Sequence, residues 1–239
     1  TNRIADAMGR ADSYPYRQRP EDLDYYLVRA ILRERVFKDP KDAVTHFSTT
    51  LRQGRYRDQE AERYGHALAL LRNRQPKQAQ NEIRQLLERS PTNIAYLLLD
   101  ARITAKLGQT DKALRAVAMA LELFPGNYPL SYHFAELSLE HGRAEQAARA
   151  LDDALMRRPD EPGLYKLRSR AASAMGYTAD AHLFLAEAHY LNGQLERAVQ
   201  QLEVATRDKQ LDFYDASKLQ AKLRSIKAEL KAEKKAKKK

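Results

Sequence analysis

The chain has no cysteine and no tryptophan. Without cysteine there is no disulfide framework, no thiolate nucleophile and no cysteine-based zinc site. The redox compartment stays open, because a cysteine-free chain is stable in either setting. Glycine and proline are sparse, nine of each in 239 residues, which is few for the many tight turns of an all-β protein. No apolar run approaches the roughly 20 residues of a membrane-spanning helix, so no membrane span is expected. Phosphate-cradling glycine loops are missing, as is any Ser/His/Asp arrangement. None of the six histidines (His46, His66, His133, His141, His182, His189) sits in a His-Glu-x-x-His motif, the helical zinc-protease signature.

What is abundant points one way. Alanine, leucine, glutamate, glutamine, arginine and lysine dominate, and these cost least in a helix. Hydrophobic residues make up 43% and charged residues 31%, enough for a core and a soluble surface. The length suits one large domain or two small ones. Net charge is +10, but Lys227–Lys239 holds seven lysines against two glutamates, so half of that charge is local. The chain begins at threonine and reads as a processed chain or an excised piece, so a missing leader says nothing of location.

An internal period of 34 residues runs through the middle of the chain. Pro91, Pro125 and Pro159 keep it, as do Gly108, Gly142 and Gly176. Ala79, Ala113, Ala147 and Ala181 form another column, and Ile83, Val117, Leu151 and Leu185 a fourth. Leu86, Ala120, Ala154 and Ala188 follow. Ala67, Ala101 and Ala135 share a place that Ser169 fills later. Each unit reads as two helices and a short turn. Glycine supplies a left-handed cap to the first helix. Small residues mark the places where helices cross closely, and proline stops the second helix.

This pattern resembles the tetratricopeptide repeat. The fold expected is all-α, a helical-hairpin solenoid. Units 60–93, 94–127 and 128–161 match well, and 162–195 partly. A half-offset unit, 179–212, matches through Ala186, Gly193, Ala198, Leu202 and Ala205. The helix near 179–191 would then serve two hairpins, as a stack of nearest neighbours permits. The array is expected over 57–212. Before it, 21–56 reads as a degenerate helix pair, Glu21–Arg35 and Pro40–Gln53, with Asp39-Pro40 as a start signal. Residues 1–20 read as a short helix and a linker. After the array, 213–239 reads as a capping helix, apolar at Phe213, Ala216, Leu219, Leu223, Ile226 and Leu230, with a frayed lysine-rich tail.

The resemblance implies a concave face, lined by first helices, that receives a polypeptide. By register its side chains are Tyr64, Leu68 and Arg72, then Leu98, Arg102 and Lys106, then Tyr132, Glu136 and Glu140, then Lys166 and Arg170. The offset unit adds Leu183, Glu187 and Tyr190. Aromatic and arginine side chains make good anchors, and the basic places suggest an acidic or carboxylate-bearing peptide. The terminal helix could itself fill part of this face. The asparagines of the two-carboxylate chaperone clamp are not in place, so no chaperone tail is expected. His133, Glu136 and Glu140 lie on roughly one helix face, where solvated surface groups are a better reading than metal ligands. The lysine tail lacks interleaved aromatics, and no base-reading code is visible; nucleic acid is not expected as a partner.

The stretch Thr1-Asn2-Arg3-Ile4-Ala5-Asp6-Ala7, with Gly9-Arg10-Ala11 and Tyr14-Pro15, is similar to the segment leaving the protease domain in BepA (YfgC)-type periplasmic metalloproteases. So are Arg63–Leu70 with Arg72-Asn73-Arg74-Gln75, and Leu185–Tyr190 with Gly193 and Glu196-Arg197-Ala198. In that family a zinc protease carrying His-Glu-x-x-His precedes a tetratricopeptide half. The resemblance implies a non-catalytic, cofactor-free chain, with zinc only in an upstream protease domain. It further implies a periplasmic location in a Gram-negative bacterium, and contact with that protease domain, outer-membrane assembly machinery and β-barrel clients. A free-standing adaptor unrelated to proteolysis is the alternative.

Overall fold

The computed structural model describes residues 22–208 and 211–236. The segment read as 1–20 lies outside the described residues. Among those described, twelve α-helices follow one another without a strand. They fall into two compact units, Thr1–Pro91 and Thr92–Lys239. The division falls inside the array that the repeat period makes continuous.

The first unit holds α1 (Leu23–Val36), α2 (Pro40–Gln53), α3 (Gln59–Arg72) and α4 (Pro76–Arg89). Asp22, Asp39 and Asp58 cap the first three, their carboxylates accepting from the amides of Tyr25, Lys41 and Ala61. Each satisfies one of the amides that a helix start leaves open. Pro40 and Pro76 open their helices, where no amide hydrogen is needed. The weak pair expected over 21–56 is therefore α1 and α2, and both pack on α3. Phe47, Ala43, Ala30 and Ala69 form the local core. Phe47 has no exposed surface and lies across Gly65 of α3, a close approach that leaves no room for a Cβ.

The second unit runs α5 (Ile94–Lys106), α6 (Thr110–Leu123), α7 (Tyr128–Glu140), α8 (Ala144–Arg157), α9 (Pro162–Ala174), α10 (Thr178–Leu191), α11 (Leu195–Ala205) and α12 (Phe213–Ala236). Successive hairpins α5/α6, α7/α8 and α9/α10 stack, and α7 touches both α5 and α9. The 34-residue columns are the buried seams of this stack. Ala101 and Ala135 are buried, as are Ala113, Ala147, Val117 and Leu151. Ser169, the small substitute, is buried too, and its hydroxyl donates to the carbonyl of Ala181 at 2.6 Å. Leu185 departs from its column and is only half-buried. Gly108, Gly142 and Gly176 adopt φ of +82°, +71° and +82° at the hairpin turns. The same place in the first unit is taken by Arg74, at φ +59°, a conformation that costs a side chain about 1–2 kcal/mol.

α10 packs against both α9 and α11. Ala179 and Ala181 are buried near its start, Ala186 and Ala188 further on. This is the double duty that the half-offset columns require. α12 closes the unit against α11, burying Leu219 and Ile226 beside Leu202, Val199 and Ala186. Burying each such aliphatic side chain is worth about 1.5–3 kcal/mol. The helix runs to Ala236, six residues past Leu230, the last place of the apolar stripe. Its lysines hold it down: Lys227 pairs with Glu203 at 2.6 Å and Lys234 with Glu196 at 3.3 Å. That stretch is helix, where a frayed tail was expected.

Candidate polypeptide-binding groove

The first helices of the second unit, α5, α7 and α9, bring one contiguous set of side chains together. Leu98 is half-buried against the core of its hairpin. Arg102 and Lys106, one and two turns on, are exposed. On α7, Tyr132 is half-buried and lies edge-on to His133, with ring centres 5.7 Å apart. His133 Nδ1 sits 3.3 Å from a Glu136 carboxylate oxygen. On α9, Lys166 and Arg170 are exposed. Arg102, Lys106, Lys166 and Arg170 make no side-chain hydrogen bond or ion pair among the described residues. These four unpaired cations thus stand on α5 and α9, both in contact with α7, which carries Tyr132 and the His133–Glu136 pair.

The electrostatics follow from this placement. Burial lowers the pKa of His133, and the Arg102 charge pushes the same way; Glu136 and Glu140 oppose it without overcoming it. The imidazole is therefore neutral near pH 7 and leaves the Glu136 charge in place. Glu140 is exposed and does not join a ligand cluster. Among the described residues no three His, Cys, Asp or Glu side chains converge on a metal position.

Two aromatic groups on this face escape the repeat register. Tyr128 stacks at a tilt on Tyr132, 5.8 Å centre to centre, and its hydroxyl rests against Gly163 at the start of α9. Its pKa is raised by burial, with Glu161 and Tyr132 contributing. Tyr165 sits 6.5 Å from Phe184, and burial with the charges of Glu187 and Asp160 raises its pKa. Both tyrosines stay neutral, able to donate from their hydroxyls and to offer flat apolar surface. The i, i+4 spacing of Tyr128 and Tyr132 was the available signal. Beside them Arg168 is locked: its guanidinium grips Asp152 at 2.7 and 3.2 Å and lies 4.6 Å over the Phe184 ring.

Several register places are taken by the fold itself. Tyr64 is a core residue, 6% exposed, and lines no open face. Leu68 is half-buried on the same helix. Arg72 ties α3 to α1, pairing with Glu34 at 2.7 Å and donating to the Phe37 carbonyl at 2.8 Å. At the other end the terminal helix supplies the partners. Glu187 pairs with Lys222, and Tyr190 donates to Glu229 at 3.4 Å. The Glu229 charge and that hydrogen bond raise the pKa of Tyr190. Leu183 joins the cluster around Leu219 and Ile226. The open stretch therefore runs from Leu98 to Arg170.

Hairpins at a 34-residue period, with small residues at their crossings, form an all-helical solenoid of the tetratricopeptide type. Family models described as tetratricopeptide repeat match residues 64–128 and 104–171. Over 226 residues, 95% of its length, the chain is 23% identical to the β-barrel assembly-enhancing protease of Escherichia coli (strain K12). The protein of that name from Yersinia pestis is 22% identical over 228 residues. The chain spans 46% of the length of these curated relatives, about half. Among solved structures, a tetratricopeptide repeat protein from Parabacteroides merdae superposes with a TM-score of 0.50 at 16% identity, covering 92% of this chain and 89% of that one. A MamA double mutant (MamA RS-1 ArsTM) gives the same score and identity over 73% and 98%. These two likenesses establish the fold alone.

Proposed function

We propose that this chain binds an extended segment of another polypeptide on the α5–α7–α9 face. We further propose that it is the non-catalytic tetratricopeptide region of a periplasmic metalloprotease serving outer-membrane protein assembly. Zinc and hydrolysis then belong to a protease domain outside these residues, and this chain contributes capture of clients and docking to assembly components. The observation that carries the binding role is that Arg102, Lys106, Lys166 and Arg170 stand exposed, and unpaired among the described residues, on α5 and α9, both in contact with α7, which carries half-buried Tyr132. Arginine forks recognise carboxylates in two-point fashion, and a half-buried aromatic provides the apolar anchor that binding hot spots favour. The likeness to the β-barrel assembly-enhancing proteases over 95% of the chain supports the placement.

The immobilised chain, offered periplasmic and outer-membrane extract, should retain β-barrel outer-membrane proteins or their assembly partners. An Arg102→Glu/Lys166→Glu/Arg170→Glu variant should lose most of that retention while keeping its helical spectrum. Retention of neither class, or retention indifferent to the three reversals, overturns the reading.

A further inference from the structure

A cavity lies within the first unit, where α1, the turn after α2 and the start of α3 meet. It measures about 350 Å³. Arg29 and Arg33 line it from α1 and Arg55 and Arg57 from the turn, together with Tyr26 and Tyr56. Among the described residues two carboxylates line the cavity with these arginines, and each has one oxygen engaged. Asp58 spends an oxygen on the Ala61 amide at 2.7 Å as the cap of α3. Glu62, 4% exposed, is paired with Arg33. Arg33 is held further by the Phe47 ring, 5.1 Å beneath its guanidinium. Its Nε is buried without a hydrogen-bond partner. Arg29 and Arg55 are exposed and make no side-chain hydrogen bond or ion pair among the described residues.

Gathering like charges around one concavity costs stability unless an anion repays it. Guanidinium groups present donors in a fixed fork that suits carboxylate and phosphate. The second charge of a phosphate dianion doubles its repulsion from Glu62 and its attraction to the arginines alike, so charge alone does not choose between the two. Tyr26 and Tyr56 add flat apolar surface of the kind that accompanies a peptide backbone. We infer that this arginine-lined cavity is a separate binding site for an acidic polypeptide segment, one Asp or Glu side chain or a terminal carboxylate entering between Arg29 and Arg55. It is independent of the groove in the second unit, and it would stand if that groove proved empty.

The test uses the full chain and a labelled acetyl-(Gly-Glu)5 peptide, with acetyl-(Gly-Gln)5 and inorganic phosphate as controls, read by fluorescence anisotropy at fixed salt. To isolate the site, binding is measured in an Arg102→Gln/Lys106→Gln/Lys166→Gln/Arg170→Gln background. Arg29→Gln/Arg55→Gln should then weaken the acidic peptide at least tenfold, with the circular dichroism spectrum unchanged. The glutamine peptide should bind at least tenfold more weakly than the acidic one. Arg55→Gln alone, at an exposed turn position, should give an intermediate loss and guards against misfolding of the double variant. Affinity unmoved by the double substitution overturns the site, as does the absence of any binding. Displacement of the peptide by phosphate at equal or lower concentration reassigns the cavity to phosphate and also overturns the inference.

Discussion

Gly65 offers the sharpest test of packing in the first unit. It lies in mid-helix in α3, where alanine would ordinarily stabilise by about 1 kcal/mol. A Cβ built there would lie 2.7 Å from Phe47 Cζ and 3.0 Å from Cδ1, and closer still to Cε1. Phe47 is fully buried, with the Arg33 guanidinium over one face and the His46 ring 5.4 Å away edge-on. The ring has nowhere to swing, so α2 must move off α3. Overpacking of this kind costs about 1–3 kcal/mol. Taken with the propensity gain, Gly65→Ala should be net destabilising by up to about 2 kcal/mol. Phe47→Leu makes room and should rescue it: the pair should couple favourably by about 1 kcal/mol or more in a double-mutant cycle. Because arrays unfold in pieces, urea curves should be accompanied by hydrogen exchange read at the amides of α2 and α3. A Gly65→Ala chain more stable than the parent, with unchanged exchange in α2, would refute the packing argument.

Arg74→Gly should stabilise the first unit by about 0.5–1 kcal/mol, since relief of the left-handed strain at φ +59° exceeds the added freedom of the unfolded chain; a lower urea midpoint would contradict it. His133 titrates below the ordinary histidine range in the folded chain, so the unfolded chain takes up its proton first as pH falls. Stability should therefore decline on going from pH 7.5 to pH 5.5, and His133→Gln should flatten that slope in urea midpoints. Deleting residues 213–239 should uncover Val199, Leu202 and Leu183, raise dye binding to apolar surface and lower the thermal midpoint. The same deletion frees Glu187 and Tyr190 from Lys222 and Glu229.

The hairpins were legible because one geometric demand recurs every 34 residues. Where two helices cross closely only a small residue fits, so Ala101, Ala113, Ala135 and Ala147 mark the seams directly. Even the shared helix α10 could be read, since a helix packed on two sides must repeat its small residues on both. The site is a different kind of object. Register assigns a residue to a helix face, but whether that face is open depends on elements far away in the chain. Tyr64 holds a first-helix place like Tyr132, yet it is buried in the core of the first unit. Tyr190 and Glu187 keep the right register and are met by Glu229 and Lys222, 39 and 35 residues downstream. The arginine cavity of the first unit was invisible for the same reason. Arg29 and Arg33 lie on one helix, while Arg55 and Arg57 lie on a turn more than twenty residues later. No period relates them, and only the fold brings their charges to one place. A repeat sequence therefore predicts its scaffold far better than its recognition surface, because the seams obey the period while recognition depends on side chains that break it.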